Sequence, residues 1–295
     1  MKRLLLLPCF LLLSQCSTPT AQSQKPSHRP APSTSRMTEV INVSSYDPKE
    51  RLRSGRSYST RDVSALKANG ASALIARAGK GGKLDSKCTS FLSSADRVGM
   101  LPGVYYRVQR HVSPEKQADQ FVAKARALKT SRSWNAPALL LCGDYDGDLK
   151  LSAILRFMDR VEAKTGIVPV AYLENSPELK LQTRAADAKT RARLTRAPYW
   201  LALYSHTSGD GPHFPAPGNP RNLVKQYSMW SDWSLWQYGG VSWENGGSKP
   251  KVYNHSRYRF PRFFGNMDRP LERNVFRGSP TQLTAFWQRH GIALR

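Results

Sequence analysis

Trp236-Gln237-Tyr238, followed thirty residues later by Met267-Asp268, is the stretch on which the reading of this 295-residue chain turns. It does not stand alone. Gly103-Val104-Tyr105, Gln117-Ala118 with Phe121, and Val170-Ala171-Tyr172 precede it, and Asn274-Val275-Phe276-Arg277-Gly278 follows it. Short apolar and aromatic runs of this kind read as strands. The segments between them carry helical periods.

Working outward, the alternation is regular. Val40-Ile41-Asn42-Val43 starts a first strand, and residues 61–69 read as a helix stopped by Gly70. A strand over 73–78 and a helix over 86–98, stopped by Gly99, follow. A third strand spans 103–108. Ser113 then caps a helix with Pro114 at its first position. Strands are expected at 138–142, 167–173 and 199–204, with further β segments around Tyr227 and Trp236. Between the first two of these, Ile154, Phe157, Met158 and Val161 mark a helix face that ends at Gly166. Lys180 to Arg196 reads as a basic helical stretch, and 244–265 as a long surface loop. Strands alternating with helices predict a parallel sheet with helical crossovers, an α/β fold. Eight strands suit a closed barrel. The scarcity of helices late in the chain argues against a regular one.

In combination, from about residue 40 to 291, these segments resemble the family-25 glycoside hydrolases, the muramidase-type lysozymes. The resemblance implies an irregular TIM-like (β/α) barrel of about eight strands, the last ones antiparallel. It also implies a glycan-cleaving site that hydrolyses the β-1,4 bond after N-acetylmuramic acid in peptidoglycan. Such chemistry uses a carboxylic acid to protonate the leaving oxygen and a carboxylate to support the developing cation. For N-acetyl sugars, the substrate's own acetamido group can replace the nucleophile.

The family pattern places an Asp at the end of the first strand, an Asp-x-Glu pair on a middle strand, and another Asp after the Trp-Gln-Tyr segment. Here Asn42 stands at the first position and Cys142 and Asp144 at the pair, while Asp268 fits the last. Cys142 and Asp144 share one face because strand side chains alternate. The expected catalytic groups are therefore Asp144 and Asp268, with Asn42 and Cys142 as altered catalytic positions. Asp85 matches a further family aspartate. Tyr105, Tyr106, Tyr172, Trp200, Trp236 and Tyr238 are the expected sugar-stacking surface. Ordinary alternatives exist: Cys142 as a small apolar residue, Asn42 bonding to backbone, Asp144 in a turn. The function divides accordingly between a weakened muramidase and an inactive barrel that binds wall glycan.

Three parts are expected: a signal over 1–16, a disordered tether over 17–38, and the barrel over 39–295. Lys2 and Arg3 precede the apolar run Leu4 to Leu13, which is too short to span a bilayer. The run ends Leu13-Ser14-Gln15-Cys16, so a lipidated Cys16 and a plain secretory signal both fit. Residues 17–38, rich in Ser, Thr and Pro, carry no acidic residue. Export to the cell envelope, with a membrane anchor at Cys16, is the expected localisation. The net charge is +24, of which Lys2, Arg3, Lys25, Arg29 and Arg36 account for five. The remainder favours polyanions such as anionic envelope polymers. No nucleic-acid-binding motif supports a specific nucleic-acid partner. Cys88 and Cys142, the cysteines beyond the leader, have no zinc-site spacing. No serine-nucleophile elbow, phosphate loop or dinucleotide fingerprint occurs. Neither cofactor nor metal is implied.

Overall fold

The structure is a computed structural model. It describes residues 37–45, 47, 60–68, 70–145, 148–174, 176–202, 227, 229–239, 241–243, 250–252 and 272–295. The expected leader and tether, with Cys16, lie outside these residues. So do Asp268 and most of the segment 244–265.

Eight strands close into a ring: β1 (Met37–Val43), β2 (Ala71–Lys80), β4 (Leu101–Val108), β5 (Ala138–Tyr145), β6 (Val170–Leu173), β7 (Tyr199–Ala202), β8 (Leu235–Gly239) and β11 (Glu272–Arg277). From β1 through β8 the ring neighbours are parallel, and β11 closes it antiparallel to both β8 and β1. This is the irregular α/β barrel expected. Four described strands lie outside the ring or fill it. β3 (Lys83–Leu84) folds back on β2, and β9 (Val241–Trp243) pairs with β10 (Pro250–Val252). β12 (Gly291–Ala293) pairs with Ala138–Leu140, the part of β5 below the start of β6.

The helices sit where the periodicity puts them. α1 (Thr60–Ala68), α2 (Cys88–Arg97), α3 (Pro114–Thr130) and α4 (Leu151–Thr165) each link parallel strands. Ser113 Oγ accepts from the Lys116 amide at 3.4 Å, with Pro114 following. α4 ends at Gly166, whose φ of 72° is the left-handed conformation that glycine reaches without a Cβ penalty. Its face of Ile154, Phe157, Met158 and Val161 packs on the outside of the sheet. Full burial of a side chain such as Phe157 is worth about 1.5–3 kcal/mol. β5 is buried along its whole length, as a strand covered on both faces must be.

The barrel interior holds a second apolar cluster, with Val40, Ile75, Leu140, Val170, Leu235 and Phe276. One end is plugged by α7 (Pro280–His290), which contributes Leu283 and Trp287. Trp287 Nε1 donates to the Pro102 carbonyl at 2.7 Å, so the plug sits at the N-terminal ends of the strands. The antiparallel seam carries a buried ion pair, Arg273 Nε to Glu39 Oε1 at 2.9 Å. Removing one partner of such a pair strands the other charge. With one end plugged, the groove is left to the C-terminal ends.

Three local expectations are corrected. Tyr227 lies in a turn rather than a strand. The basic stretch 180–196 falls in two helices, α5 (Pro177–Ala185) and α6 (Ala188–Thr195), because Asp187 breaks the run. Its carboxylate caps α6 by accepting from the Thr190 amide at 2.6 Å. Residues 250–252, expected in a loop, form β10. Cys88 and Cys142 are both buried and not bridged.

Candidate active site

Strand parity decides which of the expected residues meet. Asn42, Tyr105, Cys142, Tyr172, Trp200 and Gln237 come together on the inner face of the barrel with Asp144. Cys142 pairs in register with Tyr105, and Asp144 with Arg107 and Tyr172. Tyr105 meets Trp200 edge-on at 6.5 Å between ring centroids, and Tyr172 meets it at 5.1 Å. These three rings make the aromatic wall of the site.

Behind the wall lies a network of side-chain amides. Asn42 Oδ1 accepts from Asn274 Nδ2 at 2.7 Å and from Gln237 Nε2 at 3.3 Å. Gln237 Oε1 accepts from the Tyr172 hydroxyl at 2.6 Å, and Asn274 Oδ1 accepts from Trp200 Nε1 at 2.8 Å. Asn42 Nδ2 donates to Glu272 Oε2. Buried polar groups need such partners, and here the partners also fix the tilt of two aromatic rings. Asn42 therefore bonds to side chains, not to its own backbone.

Glu272 is the acidic residue beside the site that sequence reasoning passes over. It opens β11 directly opposite Asn42 in the antiparallel register. The signal was available, because Glu272 is two residues before Asn274, and strand alternation puts both on one face. Its charge is felt at the centre of the site. The Tyr105 phenol is held well above its ordinary range by burial, then by the negative charge of Glu272, against the lowering influence of Arg77, with Asp144 adding to the rise. Tyr105 is thus a neutral phenol with a carboxylate of β11 and one of β5 both in electrostatic reach.

Asp144 is buried on β5, its side chain 9% exposed. It is a strand residue and caps no helix; α4 starts beyond Lys150. Arg107, from β4, stands with Nη1 4.0 Å from Asp144 Oδ2 and Nη2 2.5 Å from Glu174 Oε1. Cys142 is fully buried, and burial pushes its thiol well above the ordinary range, so it supplies no negative charge.

Asp85 is buried at the edge of this site, with Oδ2 accepting from the Ser45 amide and from Nε of Arg77, the residue in register with Tyr105, each at 2.9 Å. It ties the segment after β1 to β2. Tyr106 faces outward between the sheet and α3, and its ring lies against Phe121 and Phe157. Its hydroxyl donates to Gln120 Oε1 at 2.6 Å and accepts from the Gly82 amide. Trp236 also faces outward, edge-on to Trp233 at 5.9 Å. Tyr238 lies in β8, its side chain outside the described residues. Among the described residues, no cluster of His, Cys, Asp and Glu has the arrangement of a metal site.

A closed α/β barrel, plugged at one end and carrying carboxylates among aromatic rings at the other, is the layout of a barrel glycosidase. The model for glycosyl hydrolases family 25 matches residues 44–246, and the chain belongs to that family. No curated protein matches the chain. The fold is similar to that of the bacterial lysozyme from Streptomyces coelicolor, at 18% identity and a TM-score of 0.55, covering 86% of this chain and 98% of that one. It is also similar to the family GH25 lysozyme from Aspergillus fumigatus, at 18% identity and 0.53, covering 85% and 99%. A third likeness is to the spore cortex lytic enzyme SleM of Clostridium perfringens, at 19% identity and 0.53, covering 81% and 67%.

Proposed function

We propose that this protein is a peptidoglycan muramidase of reduced activity, with Asp144 as the proton donor and a carboxylate near β11 as its support. The observation that carries the reading is the placement of Asp144, in register with Tyr172, and of Glu272, opposite and hydrogen-bonded to Asn42, on the barrel face that carries the Tyr105, Tyr172 and Trp200 rings. The names of the similar structures, lysozymes and a cortex-lytic enzyme, point to the same substrate class.

In this reading Asp144 gives its proton to the glycosidic oxygen as the bond from C1 breaks. The acetamido oxygen of the muramyl sugar closes on C1. Water then opens that ring, returning a proton to Asp144. Glu272, hydrogen-bonded to Asn42, is the carboxylate of the described site that stabilises the positive intermediate. Asp268 is the second candidate for that role. The reduced rate follows from the side chains themselves. Asp144 is one methylene shorter than Glu, and a misplacement of about 1 Å costs on the order of 10²-fold. Asn42 and Cys142 add no negative charge.

The competing reading is a glycan-binding barrel without turnover, favoured by those same two neutral positions. Reducing-end release from purified peptidoglycan separates the two, measured beside retention on insoluble sacculi. Turnover lost in Glu272→Gln but kept in Asp268→Asn assigns the support to Glu272, and the reverse assigns it to Asp268. Binding without turnover in wild type decides for the binding protein. We further propose export, with anchoring through lipidated Cys16 and contacts to anionic envelope polymers through the basic surface.

A further inference from the structure

One row of residues runs across the C-terminal rim of the barrel, held in register by neighbouring strands. Lys83 of β3 pairs with Lys80 of β2, Lys80 with Arg107 of β4, and Arg107 with Asp144 of β5. Beyond Asp144 the row continues through Tyr172 of β6 to Trp200 of β7. Asp144 thus divides it. Two aromatic rings stand on one side and three cations on the other.

Lys80 owes its place to a bulge. Arg77 lies opposite Tyr105 on the inner face, and strict alternation would turn Lys80 outward. The register shifts between Arg77 and Gly79 instead. Ala78 packs in the outer core, and Gly79 lies opposite Tyr106, where a Cβ would meet the ring at 2.7 Å. Both therefore face outward, and Lys80 returns to the groove side beside Arg107. The turn that follows places Lys83. Gly81 and Gly82, with φ of 54° and 88°, make the tight connection that sets Lys83 opposite Lys80. The Gly82 amide donates to the Tyr106 hydroxyl, and its carbonyl accepts from Gln120 Nε2, each at 2.9 Å. The hairpin is pinned from the outer side.

Two lysines set directly opposite on antiparallel strands repel one another. Lys80 is partly exposed and Lys83 exposed, and among the described residues no carboxylate is paired with either ammonium. Arg107, in contrast, has Asp144 and Glu174 beside it. An anionic group on the ligand would relieve the repulsion between the lysines. Neighbouring strands lie roughly 5 Å apart, so the pair begins roughly 10 Å from Asp144, within reach of a substituent on the same glycan. We propose that Lys80 and Lys83 form a subsite for the peptide stem of the substrate, binding its carboxylates while sugar rings stack on Tyr172 and Trp200. This rests on the groove being a peptidoglycan site. It makes the groove selective for glycan bearing acidic stems over neutral glycan.

The test compares the full protein with the double variant Lys80→Gln, Lys83→Gln on three forms of sacculi: untreated, freed of phosphate polymers by hydrofluoric acid, and with carboxyl groups converted to amides. Retention of wild type should exceed that of the variant about fivefold on the first two, as expected for two partly exposed charge pairs. On the amidated form the ratio should fall to about one. In turnover, KM should rise by a similar factor with kcat within about twofold. The variant's unfolding temperature should not fall, because a repulsion has been removed. The control Lys129→Gln, Lys189→Gln makes the same charge change on α3 and α6 and should be retained like wild type. An equal loss in that control, or a ratio of about one on untreated sacculi, overturns the proposal. A ratio lost after hydrofluoric acid assigns the lysines to phosphate polymers and overturns it too. The fivefold ratio without turnover would uphold the subsite and sink only the catalytic reading. Wild type retained on none of the three forms would sink the glycan reading and this proposal with it.

Discussion

Replacing Asn42 with Asp would restore the residue that the family pattern expects, and it should destabilise this protein. Asn42 Nδ2 donates to Glu272 Oε2, while its Oδ1 accepts from Asn274 and Gln237. An aspartate keeps both acceptor contacts. It loses the donor and sets a second carboxylate against Glu272. A hydrogen bond to a charged group contributes about 1.5–3 kcal/mol. Glu272 is partly exposed, so the low end applies, about 1.5 kcal/mol at neutral pH. For a domain of this size that corresponds to a Tm lower by roughly 3–6 °C. Glu272→Gln alone keeps an acceptor and should cost only about 0.5 kcal/mol. The double variant Asn42→Asp, Glu272→Gln reverses the direction of the bond and should recover most of the loss. Thermal unfolding of the four proteins at pH 7 makes a double-mutant cycle. If Asn42→Asp is as stable as wild type, or if the double variant is no better than Asn42→Asp, the account of this pair is wrong.

Four further outcomes are expected. Trp200→Leu removes the ring that Tyr105 and Tyr172 meet and leaves Asn274 Oδ1 without its donor; glycan binding should fall roughly 10-fold or more, read by retention on sacculi. His290, packed on Phe286, is held down to about 4 by burial, with Arg289 adding to the effect. A folded value below the unfolded one means the unfolded chain binds more protons, so this stability term is present above about 6.5 and is lost as pH falls toward 4. His290→Gln should flatten the stability profile across that window in chemical denaturation. Wall retention of the full protein should weaken as salt rises, and salt-insensitive retention would remove the basic surface from the account. Cys16→Ser should release the protein from membranes, whereas a wild type that already fractionates as soluble refutes the lipid anchor.

The barrel was legible because its signals are local. Ser113-Pro114 starts α3, and Gly99 and Gly166 follow the ends of α2 and α4, each by short-range stereochemistry that the sequence states outright. The site was legible only in part, and strand parity explains much of the difference. Tyr105 and Tyr106 are adjacent, so only one can face the groove; Tyr106 packs under α3 instead. Gln237 faces inward, so Trp236 cannot. Asp85 matched a family position, but its environment, the Arg77 guanidinium and the Ser45 amide, is made by strands that meet only after folding. Glu272 was hidden differently. Its meaning comes from Asn42, 230 residues away, and a neutral residue on the first strand gives no hint that a carboxylate lies opposite. The break between α5 and α6 was present in the sequence as Asp187, a residue suited to capping, within a run read for its charge.

The central claim, that Asp144 protonates the glycosidic oxygen of a peptidoglycan substrate, is tested most directly by product analysis of wild type against Asp144→Asn. Digests of purified sacculi should contain fragments ending in reducing N-acetylmuramic acid for wild type, identified by mass after borohydride reduction. They should be absent from Asp144→Asn, which should remain folded and bind the glycan. The same fragments released at an undiminished rate by Asp144→Asn would contradict the account.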